Sequence, residues 1–170
     1  MNRPFRVNIA ALRHAPGSAL RITLSGPVPA LAMPEAAVVA GATTSVTGRL
    51  EWASGGLLAT LEVSAPWVGE CRRCLQPASG TLHAVTRELF SEDAAAVEEG
   101  LAYPLRGDVV ELLPLVRDAL LLELPIAPLC KQDCEGLCPQ CGGDRNLERC
   151  GCRAEVLDPR WAALGPLVGG

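Results

Sequence analysis

An α+β fold is predicted for this chain of 170 residues. It should have an antiparallel, β-rich N-terminal part, one central helix, and a C-terminal zinc-ribbon-like segment with a short terminal helix. Three observations predict it. Apolar residues alternate with period two along much of residues 5–90. The period becomes helical after Asp108. Six of the eight cysteines then crowd into the 24 residues LCKQDCEGLCPQCGGDRNLERCGC, from Leu129 to Cys152. A β-rich unit over 1–128, with its helix near 112–124, is expected to pack as one body with a cysteine-rich, zinc-binding unit over 129–170.

The elements follow in order. FRVNI (5–9) and LRITL (20–24) alternate as half-buried strands do. Residues 27–42 are rich in Pro and Ala and read as a connecting loop or short helix. TSVTGRLEW (44–52) puts Val46, Leu50 and Trp52 on one face, with Gly48 between them, and LLATLEV (57–63) groups Leu57, Ala59, Leu61 and Val63. SGG between these runs suits a hairpin turn. TLHAVTRELF (81–90) alternates again, so Cys71 and Cys74 of ECRRCL should sit at the tip joining two antiparallel strands, and His83 should fall on the buried face. SEDAAAVEEG (91–100) is an acidic loop or helical turn. Leu112, Leu113, Val116, Leu120 and Leu124 recur at helical spacing. Pro114 is tolerated only in a first turn, and Pro125 and Pro128 end the helix. In DPRWAALGPL, Asp158 as N-cap and Pro159 at the first position predict the short terminal helix.

Composition excludes several classes. Hydrophobic residues make up 49% of the chain, too many for a disordered one. Only six residues are aromatic, so base stacking on a row of rings is poorly supplied. No apolar stretch is long enough and free enough of charge and proline to span a membrane, and MNRPFRVNIAALRHAPG lacks the apolar region of a signal peptide. A cytoplasmic protein is expected, in which thiols stay reduced and clustered cysteines point to metal before disulfides.

CPQCGG, at Cys138 and Cys141, has the form of a zinc knuckle. Its tight turn aims backbone N–H groups at the first sulfur, and the following glycine permits positive φ. Cys150 and Cys152 in CGC would complete a compact four-sulfur site. Cys130 and Cys134 would then join Cys71 and Cys74 around a second Zn²⁺. The competing partition gives Cys71 and Cys74 to the CPQC site and leaves CGC free. A thioredoxin-like dithiol fits poorly, since ECRRCL leads into a strand and not into a helix N-terminus. A catalytic zinc would need an open position beside a carboxylate or histidine, and His14 and His83 are isolated. No small-molecule substrate is indicated.

The net charge of −4 argues against a generally basic nucleic-acid binder, but its distribution is uneven. Residues 1–34 carry Arg3, Arg6, Arg13 and Arg21 without an acid, and residues 86–123 carry nine acids against three arginines. Arg72 and Arg73 sit between the first cysteine pair, and Arg145, Arg149 and Arg153 beside the later ones. These either offset the thiolate charge of zinc sites or face phosphate. One continuous surface built from Arg3, Arg6, Arg13, Arg21, Arg72 and Arg73 would support RNA binding.

The order ECRRCL, an acidic segment, GDVVELLPLVRDALLLELPIAPLC, CEGLCPQCGGDRN and DPRWAAL resembles the DUF177 family. This is also called the YceD, or large ribosomal RNA subunit accumulation protein, family. The likeness runs from about Phe5 to Leu164. It implies a non-enzymatic protein needed for accumulation of 23S rRNA, hence a role in large-subunit ribosome biogenesis. The partner would be the 23S rRNA precursor or a large-subunit ribosomal or assembly protein. No catalytic residues come with the resemblance. Family members vary in their later cysteines, some carrying histidine there, which implies metal that supports the fold. The alternative is a zinc-stapled protein–protein adaptor without direct RNA contact, using the acidic 88–111 region.

Overall fold

The computed structural model describes residues 3–15, 17–53, 55–152 and residue 160. In chain order the elements are β1 (Arg6–Asn8), α1 (Ala10–Arg13), β2 (Ala19–Pro27), β3 (Leu31–Ala32), β4 (Ala36–Val38), β5 (Thr43–Ala53), β6 (Gly56–Glu70), β7 (Pro77–Ser91), α2 (Ala94–Glu98), β8 (Tyr103–Pro104), β9 (Val109–Glu111) and α3 (Leu113–Glu123). The fold is therefore α+β with a mostly antiparallel sheet. The terminal helix expected around DPRWAAL lies outside the described residues, apart from Arg160.

Alternation builds the sheet. β2, β5 and β6 pair in sequence, joined at Ala53↔Gly56, and β6 pairs with β7 from Leu57↔Phe90 to Glu70↔Pro77. Period two sends Val46, Leu50, Leu57, Ala59, Leu61, Val63, Leu82 and Ala84 to one face, where all are buried. α3 covers that face with Leu115, Val116, Ala119 and Leu120. Each large side chain buried here stabilises by about 1.5–3 kcal/mol before entropy is counted. Pro114 lies in the first turn of α3, where its missing N–H costs nothing, and Leu124 turns extended ahead of Pro125. The β1–β9 ribbon closes the core with Phe5, Ile9 and Val110.

Close packing leaves no room at Gly48. A Cβ there would meet the Thr60 carbonyl oxygen at 2.2 Å and Leu61 Cα at 2.9 Å. Glycine is therefore required by the approach of β5 to β6.

Three local expectations are corrected. Residues 27–42 are neither plain loop nor helix: β3 and β4 form a small hairpin, and β4 pairs with the free edge of β6 at Ala37↔Val68. That edge supplies partners that composition alone does not reveal. Strand β9 precedes α3, so its Val109–Glu111 segment belongs to the ribbon. His83 faces solvent, because Leu82 and Ala84 take the inward positions.

Candidate metal centres

The six-residue connection between β6 and β7 is the tip that carries Cys71 and Cys74. Its Cys71 N–H donates to the Gln76 carbonyl at 2.8 Å, and Leu75 N–H turns back to the Cys71 carbonyl at 2.8 Å. Leu75 adopts φ +61, an uncommon conformation for a branched side chain. The chain after α3 docks onto this tip through backbone bonds. Arg72 N–H donates to the Pro128 carbonyl at 2.9 Å, and Leu137 N–H to the Arg73 carbonyl at 3.0 Å. The Arg73 guanidinium donates to the Cys134 carbonyl at 2.8 Å. Gly136, at φ +73, lies so near that a Cβ would meet the Arg73 oxygen at 2.9 Å.

These contacts bring Cys71, Cys74, Cys130 and Cys134 together, and the four sulfurs lie within 4.8 Å of one another. Cys71 and Cys134 are 3.7 Å apart at sulfur, and Cys74 and Cys130 3.5 Å. Tetrahedral ligands at a Zn–S distance of about 2.3 Å would lie about 3.8 Å apart, whereas a disulfide needs about 2.05 Å. The spacing therefore suits four ligands of one ion. Cys71, Cys74 and Cys134 are buried in a small cluster with Ala78, flanked by Trp67, Leu129 and Leu137.

The second quartet is Cys138, Cys141, Cys150 and Cys152, also within 4.8 Å. CPQCGG forms the expected turn: Cys138 N–H donates to the Gly143 carbonyl at 2.8 Å, and Gly142 N–H to the Cys138 carbonyl at 2.9 Å, with Gly142 at φ +72. Cys138 is buried, while Cys141 and Cys152 are exposed. Among the described residues, 129–152 carries only one isolated bridge, Leu137↔Asp144, so turns and cysteines hold it and not a ladder.

Backbone amides prepare one sulfur in each quartet. Burial pushes the Cys71 thiol up, but N–H groups of Cys130, Cys74 and Arg73 outweigh it and bring it down to about 6. N–H groups of Cys141 and Gln140 bring Cys138 down to about 6. A second sulfur resists ionisation beside that charge. Gln76 N–H favours the Cys74 thiolate, yet burial and the sulfurs of Cys71, Cys130 and Cys134 push it up to about 12. Cys152 is likewise pushed up to about 12 by Cys141 and Cys150. A divalent ion resolves this conflict by replacing protons with shared positive charge. No histidine or carboxylate joins either quartet among the described residues. Soft, all-sulfur donor sets of this shape are compatible with zinc.

With that geometry in view, comparison with known proteins gives a direct result. The family described as large ribosomal RNA subunit accumulation protein YceD matches residues 59–168. This chain belongs to the YceD family. An uncharacterized protein of Mycobacterium tuberculosis is 39% identical over 171 residues, covering 98% of this chain and 82% of the relative. A YCED homolog of Arabidopsis thaliana, named as a chloroplastic large ribosomal RNA subunit accumulation protein, is 31% identical over 70 residues, 41% of this chain and 22% of its own length. The YlbN protein of Bacillus subtilis is 27% identical over 125 residues, covering 72% of this chain and 73% of the relative. No solved structure matches. The YceD description is not an enzymatic one. Among the described residues, no helix is long and apolar enough to cross a membrane.

Residues that sequence reasoning missed around the YceD cysteines are Asn146 and Gly136. The Asn146 amide donates to Cys134 Sγ at 3.4 Å, while its Oδ1 accepts from Glu135 N–H at 2.9 Å. The polar turn GDRN after the knuckle was the available signal.

The six arginines singled out from the sequence fall in several places. Arg3 and Arg6 lie beside Glu111 at 4.0 and 3.8 Å. Arg13 donates to Glu92 and to the Gly107 carbonyl, lies 3.3 Å from Asp108, and stands over Trp52 at 4.9 Å. Arg73 is committed to Cys134. Arg21 and Arg72 make no ion pair among the described residues. Arg13 thus joins α1 to the acidic loop, and its hydrogen bond holds the Glu92 carboxyl below the usual glutamate value. A carboxyl depressed in this way stabilises the fold above its unfolded value, and the contribution is lost as pH falls through the folded one. Arg13→Ala should therefore be less stable than the parent at neutral pH. The gap should narrow in acid, as read by urea unfolding at both pH values.

Proposed function

We propose that this protein is a non-enzymatic cytoplasmic factor in accumulation of large-subunit ribosomal RNA, with a structural Zn²⁺ in each cysteine quartet. The reading rests on membership of a family described by that role. The quartets support it in one respect: four sulfurs fill a tetrahedral ion and leave no position for a reacting water. The ions act as staples. The inner one fastens 129–137 to the β6–β7 tip, and the outer one folds 138–152 on itself. The working surfaces lie elsewhere and engage the 23S rRNA precursor or a large-subunit assembly protein.

Depletion of the protein in cells should lower 23S rRNA relative to 16S rRNA, and the reducing-buffer metal content of purified protein should be about two zinc ions per chain. Unchanged 23S rRNA refutes the ribosomal role. Fewer than one zinc per chain refutes the staples.

A further inference from the structure

The outer face of the sheet has nothing packed on it among the described residues, and its register aligns charges that local sequence keeps apart. Arg21 pairs with Arg49, Arg49 with Thr60, and Thr60 with Arg87. The four positions form one row across β2, β5, β6 and β7, and all three arginines are exposed. Two rows further along the strands, Ser25, Ser45, Ser64 and His83 form a second line. Between them lies a shallow depression lined by Thr47, Glu62, Val85 and neighbours.

We propose that this face binds RNA through its sugar-phosphate backbone, with Arg21, Arg49 and Arg87 as the phosphate ligands. The proposal rests on the ribosomal reading above and names the surface that would carry it. Like charges directly opposite on neighbouring strands oppose sheet formation. Arg21 and Arg49 are such a pair. Arg21 and Arg87 have no acidic partner among the described residues, and Arg49 has only Glu51, at 2.8 Å, with 54% and 27% of the two side chains exposed. So exposed an ion pair is weak and gives way to phosphate. An anion on the row removes the repulsion that folding leaves.

Scale and composition fit a nucleic-acid backbone. At about 4.8 Å between strands the row spans about 14 Å, and the serine line lies about 14 Å from it along the strands. Arginine and hydroxyl groups are the usual phosphate and sugar contacts. Trp52, Trp67, Phe90 and Tyr103 all pack toward the core side, so among the described residues the His83 imidazole is the only ring the outer face offers for base stacking. Recognition is therefore of backbone, independent of sequence and sensitive to salt. Glu62 repels phosphate from the depression and keeps it on the arginine row.

The test uses the full-length, zinc-loaded chain and a labelled single-stranded RNA of mixed sequence. Arg21→Gln, Arg49→Gln and Arg87→Gln together should weaken binding at least about tenfold. They should also reduce the slope of log K against log salt by about 2, at roughly 0.7 per phosphate lost. The matching triple lysine variant should retain most of the slope, which a merely structural role for arginine would not predict. Zinc content equal to the parent's and a melting temperature no lower than the parent's confirm that both variants fold. The proposal is overturned if the glutamine variant binds RNA as the parent does, or if only the combined Arg3→Gln, Arg6→Gln and Arg72→Gln variant loses binding. It is also overturned if in-cell crosslinking of the glutamine variant loses a large-subunit protein and keeps rRNA. Depletion that leaves 23S rRNA unchanged removes the ribosomal reading itself, whereas rescue of 23S rRNA by the glutamine variant removes only this face.

Discussion

Replacing Cys71 with serine is expected to reduce the zinc content from two ions per chain to one and to destabilise the protein by at least about 3 kcal/mol. Apparent binding free energies of structural zinc sites are on the order of 10 kcal/mol, and a neutral hydroxyl does not take the place of a thiolate. Cys71 is fully buried, and its backbone neighbours hold its sulfur as a thiolate. The loss should be local first. Segment 128–137 is joined to the sheet mainly by the quartet, the backbone bonds Arg72 N–H to Pro128 and Leu137 N–H to Arg73, and the Arg73 clamp. Limited proteolysis should therefore cut after α3 in the variant and not in the parent. Cys141→Ser should also lose one ion but leave this junction protected, since its quartet is closed within 138–152. If Cys71→Ser keeps two ions, or is cut no faster than the parent, the inner staple does not exist.

Gly48→Ala is expected to cost about 3 kcal/mol, at the upper end of the ordinary range for overpacking. The obstacle is not a flexible side chain. The added carbon would sit 2.2 Å from the Thr60 carbonyl oxygen and 2.9 Å from Leu61 Cα, both backbone atoms of the central strand. β5 would have to move off β6, loosening Val46, Leu50 and Leu61, all at or near zero exposure. Denaturant unfolding would show the loss. Gly41→Ala provides the comparison: it has positive φ but open space around it, so only backbone strain should appear. A Gly48→Ala protein as stable as the Gly41→Ala one would mean that the strands yield there.

Much of the sheet was legible in the sequence because its buried positions are strongly apolar and its outward ones polar. Val46, Leu50, Leu57, Ala59, Leu61 and Val63 announce themselves, as do the turn near Gly55 and the prolines that bound α3. The hairpin of β3 and β4 was not legible, since Ala- and Pro-rich segments have little strand preference and here take their pairing from a distant edge. FRVNI announced β1, but its three-residue partner β9 runs straight into α3 and has no local signal of its own. The face of His83 was misread because Val85, also outward, is apolar yet 79% exposed.

For the cysteines, sequence spacing allowed two partitions, and space places 71, 74, 130 and 134 together and 138, 141, 150 and 152 together. For the arginines, charge runs were a poor guide. The basic N-terminus and the acidic 86–123 region fold against each other, so Arg3, Arg6 and Arg13 meet Glu111, Glu92 and Asp108. Arg49 and Arg87 share outward strand parity with Arg21, a signal that lies in the alternation of the strands and not in the charge runs.

The two quartets also differ in when they can close. The outer ligands lie within fifteen residues and can find one another in an otherwise unfolded chain. Cys74 and Cys130 are 56 residues apart, and loop-closure entropy opposes that encounter by about 1 kcal/mol more. Their meeting also requires β7 to have returned along β6 and α3 to have crossed the sheet. A newly made chain would thus take up its first ion early and its second last, so that filling of the inner quartet marks the completed fold.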